Sequence, residues 1–543
     1  MTSRSIGFSG RREFLKLGVG IGAGAMWPRP AYARPPKRGG VLKHIGVEPS
    51  SFDIHGPWPS WGAPASATYL VSSLVRRTLF RFSAGAGAGP SDFSLVPDLA
   101  LKADVARDGK TYTISLRRGV RWASRPPVNG RELVAADVKY SIERALKKSP
   151  QASSLGRMES LEAIDAHTVR IHLAEPFAPL LHHLAEPWTA VLPREVEDKL
   201  GDFRAVESLI GCGPFVLERY EPGVKAVFVR NPSYYRSGLP HLDRVEWLLI
   251  RDRATQLSFF RAGQLEIPSP EGRLLRSEVA PFKRSNPSYP LVSWDGLATS
   301  ALAMRTDRPP FSDVRVRRAL SLALDRGAWA AQHPDGAWDE DTTAVPSAMK
   351  EWKLPARRLG EGARYLEHNP ALARKLLAEA RLTHGLKVKC TRWPGTDPDM
   401  AADLELFAVS LRHIGIELQM VAEDQGAGHR GGPVETAWGS FPIFTEVDGC
   451  LYGCFKTGQP HNRSRVSNPE LDEMLDAQRH ALSRASRKKV IDDIQRHVAA
   501  QVYYLHAPRA RPVSSWAPWV KNYAPKNSLD RGAQLEVVWL DRP

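Results

Sequence analysis

The chain has 543 residues, 42% hydrophobic and 25% charged, with 42 Gly and 43 Pro; this composition belongs to a folded protein of several domains and excludes a fibre, a coiled coil or a disordered tail. Lys and Arg outnumber Asp and Glu by 75 to 59, a net charge of +16, yet the bases are scattered singly and in pairs, which argues against a nucleic-acid-binding stripe. A mean hydropathy of −0.33 excludes a polytopic membrane protein.

The first 33 residues read as an export signal. Arg11 and Arg12 precede Glu13-Phe14-Leu15-Lys16, a glycine-rich apolar run from Leu17 to Trp27 follows, and the small residues Ala31 and Ala33 flank a cut after Ala33. That run is too short to span a bilayer, which takes about 20 helical residues. The adjacent arginines resemble the twin-arginine motif, which implies bacterial export of a folded chain. No cysteine precedes Cys212, so lipid attachment near the cut is not expected, and a Gram-negative periplasm is the expected compartment. Four cysteines, Cys212, Cys390, Cys450 and Cys454, allow a local disulfide between the last two in that compartment.

Along the mature chain, Gly85-Ala86-Gly87-Ala88-Gly89-Pro90 lacks the strand and helix a phosphate-binding turn requires and reads as a flexible loop. Tyr112, Ile114 and Leu116 alternate with Thr and Ser as in a half-buried strand, as do Val169, Ile171 and Leu173, and then Val245, Trp247 and Leu249. Helical spacing links Val134, Val138, Ile142 and Leu146, and then Val316, Leu320 and Ala323 behind Ser312-Asp313. Three further faces follow: Leu372, Leu376 and Ala380; Leu404, Phe407, Leu411 and Ile414; Val490, Ile494 and Val498. Leu535, Val537 and Trp539 predict a closing strand. The sum is a mixed α/β protein.

A family resemblance emerges from the order of short segments. Pro97-Asp98-Leu99-Ala100, Asp108-Gly109-Lys110-Thr111-Tyr112, Arg118-Gly119-Val120-Arg121-Trp122 and Ala136-Asp137-Val138 come first. Gly211-Cys212-Gly213-Pro214-Phe215, Arg230-Asn231-Pro232 and the segment Phe311-Ser312-Asp313 to Asp325-Arg326 follow, then Ala373 to Ala380 and Ile414-Gly415-Ile416. In order and spacing these resemble the family 5 solute-binding proteins of ABC importers, the dipeptide, oligopeptide and nickel type. The resemblance implies a bilobal, periplasmic-binding-protein-like α/β fold of class II. Residues 34–295 and 508–543 would form a discontinuous larger lobe with an inserted subdomain at about 55–205, and 296–507 the second lobe. Two hinge segments, near Ser293–Ala301 and Leu505–Arg511, would let the lobes close on a solute and present the closed form to a membrane permease.

Several tryptophans sit among turn residues, as rigid aromatics in a solute cleft would: Trp58, Trp61, Trp294, Trp393 and Trp438. Trp438-Gly439-Ser440, followed by Phe441, resembles the family's cleft segment, and Glu48 lies where the family begins its first cleft loop. Peptide-binding members place an Asp just after that Trp-Gly to pair with the peptide ammonium. Here the nearest acids are Glu446 and Asp448, so either the loop shifts and one of them serves, Asp448 being the candidate, or the ligand has no ammonium to pair. His182-His183 lack a surrounding carboxylate–histidine set, so no metal site is read there, and Asn462 and Arg463, in the polar Gln459–Arg463 segment, read as a solvated loop or as groups that would hold an anionic end of the solute. Hydrolase motifs of the Gly-x-Ser-x-Gly and His-Glu-x-x-His kinds are missing. The reading is therefore a non-enzymatic, monomeric receptor, without cofactor or metal, for a peptide, opine or oligosaccharide, with an exported hydrolase or a chaperone-like protein of the same fold as the alternative.

Overall fold

The computed structural model describes residues 4–6, 35–56, 63–297, 300–331, 338–339, 343–383, 385–392, 398–421, 435–440 and 444–542. Among them two compact units separate: one contains 63–292 with the preceding segment and 513–543, the other 293–512. The twin-arginine segment and the apolar run behind it lie outside the described residues.

The first unit is built on two sheets. Strand β1 (Val41–Ile45) and helix α1 (Ala63–Val75) precede β2 (Ala100–Val105) and β3 (Thr111–Leu116). Helix α2 (Ala135–Lys148) leads to β4 (Met158–Asp165) and β5 (Thr168–Leu173), and β6 (Phe215–Glu221), β7 (Lys225–Arg230) and β8 (Arg244–Leu248) complete the set. One sheet has the order β1-β8-β7-β6, with β1 parallel to β8; the other has Arg4–Ile6 on its edge, then β2-β3-β5-β4. In β3 the residues Tyr112, Ile114 and Leu116 are buried and the Thr and Ser between them half-buried, because side chains alternate across a pleated strand. Helix α2 begins where the Asp137 carboxylate accepts the Val134 N–H at 2.9 Å, and it buries Val138 and Ile142 with the sheet in a core drawn from residues 54–212. A second core gathers Leu42, Val245 and Trp247 of the other sheet with α1.

The C-terminal residues return to this unit. Val513–Ser514 pairs with Arg273–Leu274, and Arg531–Leu535 is a helix whose Asp530 cap accepts the Ala533 N–H. That capped turn carries Leu535, so the closing strand is only Trp539–Leu540; the alternation of Leu535, Val537 and Trp539 is not a strand. The glycine-rich loop is likewise not free. Asn522 Oδ1 accepts the Ala86 N–H at 2.9 Å, and Lys526 Nζ donates to the carbonyls of Gly89 and Asp92 at 2.9 and 2.6 Å.

In the second unit, β9 (Ser300–Met304) is followed by α3 (Val314–Ala323), α4 (Pro370–Glu379), β10 (Leu386–Arg392), α5 (Pro398–Arg412) and β11 (Ile416–Met420). Then come β12 (Thr436–Ser440), α6 (Val447–Phe455), α7 (Pro469–His480), α8 (Arg484–Gln501) and β13 (Tyr504–His506). The sheet order is β11-β10-β12-β9-β13. Asp313 caps α3, accepting the Arg315 N–H at 2.8 Å, and the helix buries Val316, Leu320 and Ala323 as its spacing predicts. Helix α4 departs from its predicted face. Its buried residues are Ala373 and Leu377, while the predicted Leu372, Leu376 and Ala380 pack part-buried against the same core. Helix α8 turns Ile491, Ile494 and Val498 inward, leaving Val490 half-buried.

Because β13 pairs with β9 in this sheet, residues 507–512 stay with the second unit. The divisions fall at 292/293 and 512/513. Cys450 and Cys454 lie one turn apart on α6 as buried thiols outside any disulfide, as do Cys212 and Cys390 in their own places. Side chains four residues apart on one helix lie one above the other at about 5–6 Å between Cβ atoms, beyond disulfide reach.

Candidate functional site

In the first unit, the loop after β1 carries Glu48, whose Oε1 accepts the Tyr220 hydroxyl at 2.9 Å and the Gly223 N–H at 2.8 Å. These bonds fix the loop against the β6–β7 turn, and a third of the Glu48 side chain stays exposed. A few residues on, Asp53 takes both Arg144 amino groups, at 2.8 and 2.7 Å, and also accepts the His55 N–H. Arg76 donates to the carbonyls of Phe52 at 2.8 Å and Ser208 at 2.8 Å. His55 Nε2 lies 2.9 Å from the Trp188 carbonyl, and burial, aided by the Arg144 charge, pushes its pKa down to about 3. Its ring is thus neutral near pH 7, with the proton on the nitrogen that faces the carbonyl. Asp53, Arg76 and Arg144 went unread in the sequence because their partners lie tens of residues away.

In the second unit, the segment after β12 builds a buried charge network. Glu446 caps α6, and its Oε1 receives Arg487 Nη1 at 2.7 Å. Asp448 receives Arg479 through both oxygens at 2.7 Å. Gln478 joins the pairs, donating to Asp448 and accepting both Nε and Nη2 of Arg487 at 3.2 and 3.0 Å. The Arg479 guanidinium lies over the Tyr452 ring and Arg487 over Trp352. Two carboxylates and two guanidinium groups thus balance, as buried charges must. The reading of Asp448 as an anchor for a ligand ammonium is corrected here: its carboxylate is engaged by an arginine from α7, and that of Glu446 by one from α8.

Trp438 is also reassigned. It is fully covered in the core of the second unit against Phe407, and its indole N–H donates to the Met400 carbonyl at 3.0 Å. Trp294 is nearly buried, beside Pro512, and Ser440 ends β12 opposite Ser300. Trp58, Trp61, Trp393 and Phe441 lie outside the described residues. The His183 ring stacks on Phe177. Asn462 is spent on its own loop, donating to the Lys456 and Val466 carbonyls and accepting the Val466 N–H.

The fold is similar to that of solved periplasmic binding proteins. The ABC transporter-associated periplasmic binding protein DppA from Helicobacter pylori, solved with the peptide STSA, matches 93% of this chain and 99% of its own with a TM-score of 0.77 at 22% identity. AgaA from A. tumefacien R10, solved with agropinic acid, gives 0.77 at 21% identity over 93% and 99%. At the level of sequence, residues 94–450 match the model of the bacterial extracellular solute-binding proteins, family 5 (middle region), and the chain belongs to that family. The glutathione-binding protein GsiB from Salmonella choleraesuis is 27% identical over 376 residues, 68% of this chain and 69% of that relative; GsiB from Escherichia coli K12 is 27% identical over 379.

Proposed function

We propose that this protein is the receptor of an ABC importer, which captures one small organic solute per chain and hands it to a membrane permease. The observation that carries this reading is the family match over residues 94–450. The relatives and structural neighbours bind glutathione, a short peptide and an opine, so the solute class is peptide-like or a comparably sized polar organic compound; an oligosaccharide belongs to the same size range. The protein works as a monomer without catalytic residues or cofactor, and its leader, cut after Ala33, sends it to the periplasm by the twin-arginine route. Glu48 and Trp294, with Trp58, Trp61, Trp393, Ser440 and Phe441, are the residues assigned to the solute. Rigid aromatics supply apolar area at little entropic cost, and a few polar groups set orientation.

Native mass spectrometry of protein taken from its own periplasm tests the proposal. A single small organic mass bound one to one, released on denaturation and raising Tm when added back, is the expected result. Protein that carries nothing and shows no thermal shift across peptide, opine, sugar and amine libraries refutes it.

A further inference from the structure

The two points where the chain passes between its units are bound to each other. Val292–Ser293 and Val513–Ser514 are neighbouring strands of a three-stranded sheet, and the Trp294 N–H donates to the Pro512 carbonyl at 3.1 Å. Asp295 adds the charges. Its Oδ1 lies 2.8 Å from Arg511 Nε and its Oδ2 2.9 Å from Lys350 Nζ. Gly296 completes the approach, since a Cβ there would stand 3.2 Å from Pro512 Cγ.

The three partners come from three segments: Asp295 from the first crossing, Arg511 from the second, and Lys350 from the body of the second unit. The Asp295 side chain is 10% exposed, against 42% for Arg511 and 70% for Lys350. A carboxylate withdrawn from water feels its partners more strongly than a surface pair does, while the exposed cations can leave it at small desolvation cost. If one crossing bends without the other, the Asp295–Arg511 bridge opens. If both bend away from the second unit, the Asp295–Lys350 bridge opens.

We infer that Asp295 is a latch between the two crossings, a positioning residue that makes them bend as a pair and holds them to the body of the second unit. Its consequence for solute uptake rests on the receptor reading above; the latch itself does not. Hinges of this kind are short segments that absorb backbone rotation, and a removable charge between two such segments sets how readily they move.

The test is hydrogen exchange, followed by mass spectrometry, on the ligand-free full-length protein, so its outcome is independent of whether a solute is ever found. In Asp295→Asn, the peptides covering 291–297 and 508–514 exchange about fivefold faster, the upper end of what a partly exposed ion pair contributes. Arg511→Gln, a change at a half-exposed side chain, gives the same effect. Peptides from β9 and α8 keep their rates. Added 1 M NaCl accelerates the two crossings in the wild type and leaves Asp295→Asn unchanged, because only a charge pair is screened. Rates within twofold of wild type in both variants overturn the inference. So does acceleration that spreads to β9 and α8, which makes Asp295 an ordinary stabilising residue of the second unit.

Discussion

Lys526 offers a quantitative test of how the C-terminal segment holds the glycine-rich loop. Its side chain is buried, its ammonium donates to the carbonyls of Gly89 and Asp92, and burial, opposed by the nearby Asp92 charge, lowers its pKa to about 8. A lysine whose folded pKa is depressed leaves the unfolded chain holding more protons between about 8 and 10.5, so its contribution to stability rises with pH across that window. Between pH 7.5 and 9.5 the gain is about 2 kcal/mol at about 1.4 kcal/mol per pKa unit. Lys526→Met fills the same space without a titrating group, so the urea-unfolding difference between wild type and variant should move by that amount in favour of the wild type over those two pH units. Curves that stay parallel to within about 0.5 kcal/mol would show that the lysine is solvated in the folded protein, and the docked loop would have to be rejected.

The buried histidines follow the same linkage at lower pH, where acid should destabilise the fold. His55, His461 and His506 have pKa values lowered to about 3, first by burial and then by neighbouring cations. Each keeps its stabilising neutral form above 6.5 and loses about 2 kcal/mol by pH 5; Tm should drop steeply between pH 6.5 and 5, and His55→Gln should flatten that drop. Asp448→Asn, which strands Arg479 in the second unit, should cost about 3–5 kcal/mol, whereas Asp448→Leu with Arg479→Met should cost less, as read by urea unfolding. In Gly211→Ala a Cβ would meet the Val75 carbonyl oxygen at 2.0 Å, so backbone must move, and a loss of about 1–3 kcal/mol is expected from such overpacking; an unchanged Tm would contradict the close approach of that loop to α1. With all four cysteines buried and outside any disulfide, Ellman's reagent should find no reactive thiol in the native protein and four after denaturation, and a reductant should not alter Tm.

The sequence by itself settled what depends on neighbours in the chain. The strand period of Tyr112, Ile114 and Leu116, the Asp313 cap ahead of Val316 and Leu320, and the ordered turn segments that revealed the family are all local signals, because side chains alternate on a strand and recur every three to four residues on a helix. Tertiary structure decided everything that depends on which distant segments meet. Glu446 and Asp448 looked like available anions, and only the register of α7 and α8 brings Arg487 and Arg479 onto them. Trp438 looked like a cleft aromatic, and the packing of Phe407 and Met400 makes it core. The glycine-rich loop looked free until Asn522 and Lys526 arrived from more than 430 residues away. Burial and long-range pairing set the charge state and exposure of these groups, and neither quantity is written in the spacing of a single strand or helix.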